Sequence, residues 1–302
     1  VHKGAMALID EERAEKLYAA MGPVTIMSGG SAANTIVGAA ALGARTAFIG
    51  KVRDDNLGRG FTHDIRAIGA HFDTPPAKDG PSTARCFVLV TPDGQRTMNT
   101  YLGACQALSE ADVDEATVKA SGITYLEGYL WDPPEAKKAF RKAADIAHAA
   151  GRRVALTLSD SFCVDRYRDE FLQLIRSKTV DIVFANESEL HALYQTSDFA
   201  TAVNLLREEA TLAAVTLSEK GSLVVSREAT HAVPAFPVER VVDTTGAGDL
   251  FAAGFLAGLA RGAPLDHCAR LGAMAAAEVI QHVGARPEAN LAALAAENGL
   301  AP

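Results

Sequence analysis

From Ile123 onward the chain alternates short β-prone runs with amphipathic stretches, and this alternation restricts the fold more than any other feature. Strands are expected at Ile123–Leu126, Val154–Leu158 and Asp181–Ala185. Between and after them the spacing predicts helices over Pro134–Ala150, closed by Gly151, then Asp165–Ile175 and Glu187–Tyr194. Further strands are expected at Ala213–Leu217, Leu223–Ser226 and Val241–Val242, after which the chain reads as helical. Such alternation implies an α/β fold: a mostly parallel sheet with helices on both faces. Ligands in these sheets collect at the carboxyl ends of the strands.

Upstream the pattern differs. Asp10 reads as the N-cap of a helix running toward Met21, with Glu11 and Glu12 in its first turn. A Gly29-Gly30 break precedes an Ala-rich helix from Ala32 to Leu42, followed by a short strand, Thr46–Ile49. Two β-prone runs, Cys86–Thr91 and Arg96–Tyr101, flank the turn Pro92-Asp93-Gly94, which predicts a hairpin outside the main sheet. The whole chain, 1–302, reads as one α/β domain with a small β-sheet inserted at about 84–101.

Charge and cysteines remove several classes. A formal net charge of −8 disfavours a broad surface for nucleic acid or anionic membrane, though not a small polyphosphate site. Cys86, Cys105, Cys163 and Cys268 show no metal-ligand spacing, and a disulfide framework is not expected at this length, so a cytoplasmic setting is the default. Arg261, Asp266 and Arg270 interrupt the apolar run 251–280, so it cannot span a bilayer.

The segment Asp243-Thr-Thr-Gly-Ala-Gly-Asp249 carries the chemistry. Gly246 and Gly248 let backbone approach a ligand, and the following helix, reaching Ala260, aims unpaired N–H groups at it. An acid inside an anion site is out of place unless Asp249 faces an attacking hydroxyl and takes its proton as a phosphoryl group arrives. A plain strand–helix turn, with Asp249 favouring the helix start, accounts for the same residues. A dinucleotide fingerprint fails, because Phe251 holds the third glycine position, and no Walker A sequence occurs.

This loop, with Leu-Phe-Ala-Ala-Gly-Phe-Leu256 after it, resembles the C-terminal signature of the ribokinase (PfkB) family. Gly29-Gly30-Ser-Ala-Ala-Asn34 through Gly43, with Gly50-Lys-Val-Arg-Asp-Asp-Asn-Leu-Gly58, resembles its N-terminal signature. The resemblance spans nearly the whole chain and implies a ribokinase-like, doubly wound α/β fold with a small β lid. It implies Asp249 as catalytic base and the amides of Gly246, Ala247 and Gly248 as an anion hole. Asn186 and Glu189 match an Asn-x-x-Glu motif that organises Mg²⁺ and its waters, although an N-cap with a capping box fits them as well. Thr216, Ser218 and Gly221 match the segment running along ATP, with Ser218 standing where many relatives carry Gly. Asp243 and Thr245 match a K⁺ site in potassium-activated relatives, or serve as turn residues. Gly29, Gly30 and Asn34 match residues that hold sugar hydroxyls, although Ser31 equally suits a helix cap.

The stretches Leu126–Leu130, Leu158–Phe162 and Phe184–Glu187 look more like the adenosine kinases of the family than its ribokinases or fructokinases. Arg96 matches an arginine that swings toward the phosphates there, or stands as an exposed strand charge, and Met98, Leu102 and Tyr129 are expected to line a slot for the base or to serve as lid and core packing. ADP release from ATP on adenosine is therefore expected, with a free-sugar acceptor or a non-catalytic nucleotide-binding protein as rivals. The partner is a small molecule, with no nucleic acid or membrane, and the chain a monomer or homodimer. One family feature is missing: an opening strand whose Asp grips two sugar hydroxyls. The natural protein is expected to extend upstream by such a strand.

Overall fold

The computed structural model describes Lys3 and residues 6–301. A short strand, β1 (Met6–Leu8), leads into helix α1 (Glu11–Ala20), which Asp10 caps by accepting the Arg13 amide. Helices α2 (Ser31–Ala41) and α3 (Asn56–Ala67) follow, then the hairpin strands β2 (Arg85–Val90) and β3 (Arg96–Tyr101). Between these strands Gly94 donates to Thr91 O at 2.8 Å with φ 76°, so the Pro-Asp-Gly turn forms where its residues demand it. The small sheet has order β1-β3-β2, with β1 parallel to β3.

The main sheet begins after α4 (Glu115–Ala120) with β4 (Ile123–Glu127). Then come α5 (Pro134–Ala149), β5 (Arg153–Thr157), α6 (Ser161–Arg176), β6 (Ile182–Asn186), α7 (Glu187–Tyr194), α8 (Phe199–Glu209) and β7 (Leu212–Thr216). Strands β8 (Ser222–Ser226) and β9 (Thr230–Val233) finish the sheet, and α9 (Ala247–Ala260), α10 (Leu265–Val279) and α11 (Leu291–Glu297) finish the fold. The order is β4-β5-β6-β7-β8-β9: β4 to β7 are parallel, and β8 and β9 are antiparallel to their neighbours. This is the ribokinase-like, doubly wound architecture expected.

Strand periodicity of two divides the core between the faces. Val154, Leu156, Val183, Ala185, Ala213 and Val215 point toward α5–α8, where Phe171, Leu174 and Leu190 are buried. Ala155, Ile182, Phe184, Leu212, Ala214 and Val224 point the other way, onto Phe251, Phe255 and Leu259 of α9. Phe184 meets Phe255 edge-on at 5.5 Å, and burying each such ring stabilises by about 1.5–3 kcal/mol. That contact sets α9, and so the loop before it, over the strand ends.

Some expected elements differ. Thr46–Ile49 makes a single bridge, Ala47 to His71, rather than a strand. Val241–Val242 is loop, held by Val242 N donating to Ile280 O at 2.8 Å. Beyond β4, which runs one residue further than expected, the segment 128–131 is a 3₁₀ turn. A side chain at Gly128 would sit 2.9 Å from Leu158 O, so the chain bends tightly against β5 there. Strand β1, helices α3, α4 and α8 and strand β9 have no counterpart in the sequence reading.

Candidate active site

A cleft of about 1710 Å³ lies between the small sheet and the carboxyl ends of the main strands. Every residue singled out from sequence lines it: Gly29, Gly30 and Asn34 at the start of α2, Arg96, Met98 and Leu102 on or after β3, Tyr129 after β4, and Asn186, Glu189, Thr216, Ser218 and Gly221 about the ends of β6 and β7. Asp243, Thr245, Gly246, Ala247, Gly248 and Asp249 line it from the α9 side.

Asp249 stands in the first turn of α9, and α2 holds both of its oxygens. Ser31 Oγ donates to Oδ1 at 2.7 Å and Asn34 Nδ2 donates to Oδ2 at 2.9 Å. Thr35 Oγ1 donates to the Asp249 carbonyl at 3.1 Å. The two helices come this close because Gly38 of α2 faces α9, where a Cβ would lie 2.5 Å from Leu250 Cδ1. Burial pushes the Asp249 carboxyl above its ordinary value, while Asn34, Ser31 and Arg96 pull it back. Asn34 itself is buried, and its Oδ1 has no partner among the described residues. An acceptor left without a donor beside Asp249 is a buried polar group that the surrounding residues do not satisfy.

The helix cap is Gly246, at φ 82°, a left-handed conformation that glycine adopts freely. It brings no side chain to the α9 amides, so they remain available to an anion. The Ala247 amide turns back onto Thr244 O at 3.3 Å, a long bond that a phosphate oxygen can displace. Asp243 braces the loop: Oδ1 accepts Thr245 N at 2.9 Å and Thr245 Oγ1 at 2.6 Å, and Oδ2 accepts Gly284 N at 2.9 Å. Three acceptor positions of that carboxylate are filled, which leaves one for a monovalent cation.

At β6, Asn186 and Glu189 form the reciprocal capping box. Glu189 N donates to Asn186 Oδ1 at 2.9 Å, and Glu189 accepts Asn186 N at 3.0 Å and Nδ2 at 2.7 Å. Burial pushes the Glu189 carboxyl up to about 7, against the Asn186 amide and with Asp160 adding to the rise. Both carboxylate oxygens are engaged, so the pair fits Mg²⁺ through its water shell better than by direct ligation. No cluster of three or more His, Cys, Asp or Glu among the described residues offers a closed metal site. Ser218 sits at φ 53°, which gives the physical reason glycine suits that position. Arg96 is the cation whose field reaches Asp249, Glu189, Asp160 and Tyr129 alike. Tyr129 OH donates to Ser159 O at 3.0 Å, so its ring is fixed in the cleft wall.

Sequence reasoning missed three participants. Ser31 is the first helical residue of α2 and not its cap, and its hydroxyl serves Asp249. Glu127 reaches α2 from the end of β4, accepting Ala32 N at 2.7 Å. Asp160 caps α6 while facing Arg166 and Arg96. The glycine pair at 29–30 and the β4 exit were the available signals.

Residues 6–291 match the profile of the pfkB family carbohydrate kinases. The chain belongs to that family. Among solved pfkB-type structures, an adenosine kinase from Sinorhizobium meliloti superposes with a TM-score of 0.97 at 58% identity, covering 99% of this chain and 91% of that one. A probable sugar kinase from Rhizobium etli superposes with a TM-score of 0.98 at 53% identity over the same shares. A cytidine kinase of Thermococcus kodakarensis is 30% identical, covering 85% of this chain and 89% of its own. The protein is thus a phosphotransferase acting on an alcohol group, a nucleoside or sugar kinase of the pfkB family. Kinase membership makes ATP its donor, typically with Mg²⁺. No helix among the described residues is long and apolar enough to cross a membrane.

Proposed function

We propose that the protein phosphorylates the primary hydroxyl of adenosine, giving AMP and ADP, with Asp249 as the base. The observation that carries this reading is one continuous cleft joining the Asp249 carboxylate to an apolar wall of Met98, Leu102, Cys105, Leu108 and Leu130. A free sugar needs hydrogen-bonding groups on every side, whereas a purine needs an apolar slot beside the polar floor. The similarity to the S. meliloti adenosine kinase supports the same acceptor.

The acceptor hydroxyl gives its proton to Asp249 as its oxygen bonds the γ-phosphorus, and the bond to the β-phosphate oxygen breaks to release ADP. Asn34 and the Gly29–Gly30 backbone, which line the cleft beside Asp249, orient the acceptor. The amides of 246–248 face the charge that develops on the transferred group, and Arg96 adds a second counter-charge from the small sheet. Thr216, Ser218 and Gly221 flank the nucleotide. Magnesium, when bound near Asn186 and Glu189, neutralises phosphate charge. The small sheet excludes water by closing over the acceptor.

The similarity to a probable sugar kinase keeps a sugar acceptor as the second reading. ADP release from ATP and Mg²⁺ distinguishes them, measured against adenosine, cytidine, guanosine, ribose and fructose with and without K⁺. Turnover on adenosine far above the others is expected. Turnover on fructose or ribose alone would discard the adenosine reading. A potassium stimulation would support the cation role of Asp243 and Thr245, and its absence would remove it.

A further inference from the structure

Helix α2 opens on a residue that cannot cap it. Its N-cap is Gly30, at φ 96°, and no side chain of its own segment takes up the amides of the first turn. Ser31 is the nearest hydroxyl, but Asp249 Oδ1 already holds it at 2.7 Å. The Ala32 amide is taken instead by Glu127 Oε2 at 2.7 Å, a carboxylate from a residue 95 positions away in the chain. Glu127 is the last residue of β4, the edge strand of the main sheet, and it lines the same cleft as Asp249.

This contact closes a chain of supports. The rigid sheet holds Glu127, Glu127 holds the start of α2, and α2 holds both oxygens of Asp249 through Ser31 and Asn34. We infer that Glu127 is a positioning residue for phosphoryl transfer, fixing the first turn of α2 so that the Asp249 carboxylate is aimed before substrate arrives. The inference rests on Asp249 being the base. The location is costly for an acid: burial pushes Glu127 up to about 7, and neighbouring Asp249 adds to the rise. An apolar residue would fill that space without the desolvation cost, so the carboxylate is explained by the bond it makes. A charged acceptor on a helix N-terminus gives a short, directional bond suited to fixing an angle.

The test compares Glu127→Ala, Glu127→Gln and Asp249→Asn in steady-state ADP release, with KM measured for ATP and for the acceptor. Misaiming a catalytic group by about 1 Å costs on the order of 100-fold. Glu127→Ala is therefore expected to lower kcat by about 10–100-fold while KM for ATP stays within about twofold. Glu127→Gln keeps an oxygen for the Ala32 amide and is expected to restore kcat to within about threefold. If the Ala variant does not fold, Glu127→Asp replaces it: one methylene shorter, it withdraws the oxygen and should still lose kcat. Unchanged kcat in the folded Ala or Asp variant would overturn the inference. So would a loss in both Ala and Gln variants confined to KM for the acceptor, which marks a direct substrate contact. Normal turnover in Asp249→Asn would overturn the base assignment itself, whereas a collapse there beside an unaffected Glu127→Ala overturns only the positioning role.

Discussion

Replacing Asp249 by Asn separates catalysis from architecture, because the two effects differ in size and sign. The substitution is isosteric, and two donors now face the carboxylate: Ser31 Oγ at 2.7 Å and Asn34 Nδ2 at 2.9 Å. An amide can keep one of these bonds on its oxygen, and its nitrogen then meets the other donor. Asn34 has a remedy, since its own Oδ1 has no partner and a turn of its amide presents that oxygen to the new N–H. The structural loss is therefore no more than about one hydrogen bond, on the order of 1 kcal/mol. Removing a buried charge whose pKa is raised acts in the opposite direction. A Tm within about 4 °C of the parent follows. The chemical loss is larger. A positioned base is worth about 100- to 10,000-fold, or roughly 3–5 kcal/mol in the barrier. The assay is ADP release under saturating ATP and acceptor, with thermal unfolding of the same preparation with and without ATP and Mg²⁺. The expected result is kcat down by at least about 100-fold, KM for ATP unchanged and stabilisation by nucleotide retained. A folded Asp249→Asn variant with kcat within about tenfold of the parent would refute the reasoning, since no other group was assigned the proton.

Two further outcomes follow from burial and backbone geometry. Glu127 is raised to about 7 and Asp249 is raised as well, so ionising them costs the unliganded fold stability that is fully present only below their unfolded values and lost as pH rises toward 7 and beyond. Activity needs the ionised base and rises as pH passes that raised value; the Tm gap between parent and Glu127→Gln should widen in the variant's favour from pH 5.5 to 8, and a flat gap in a pH-series melt would contradict the assignment. Gly221→Ala places a methyl 2.1 Å from Val233 O and 2.8 Å from Ala235 N at φ 95°, a backbone region almost confined to glycine. It should cost about 3 kcal/mol or more and raise KM for ATP, whereas Gly262→Ala, at φ 76° with open space around it, should cost only about 1–2 kcal/mol in the same denaturant titration.

The layers of the fold were legible because they rest on local pattern. The stretches Val154–Leu156 and Ile182–Ala185 are buried on both faces and read as continuous apolar strands. The elements missed were those whose stability is not local. Helix α8 has its cap in Asp198, but its first turn, Phe-Ala-Thr-Ala, has the composition of a strand as readily as of a helix. Strand β9 depends on its antiparallel pairing with β8 for its existence. The run Thr46–Ile49 has the β-branched composition of a strand but finds one bridging partner only, so composition without a neighbour gave no ladder.

The site divides along the same line. Residues whose role is set by neighbours in the chain, such as the Asn186–Glu189 box and the Gly246 turn, announce themselves by spacing. Residues whose role is set across the fold do not. Glu127 and Ala32 are 95 positions apart, and Ser31 and Asp249 are 218 apart, so no window of sequence contains either contact. The decisive electrostatics are hidden for the same reason. A net charge of −8 says nothing of a cleft where Glu127, Glu189 and Asp249 are each pushed up by burial while Arg96 opposes the rise at two of them. The sheet that carries Arg96 is therefore more than a cover. Burial raises the Asp249 carboxyl, and Asn34, Ser31 and then Arg96 of that sheet hold it down. On the proposed assignment of Asp249 as the base, Arg96→Ala should move the acid limb of the kcat profile to higher pH as well as slowing turnover.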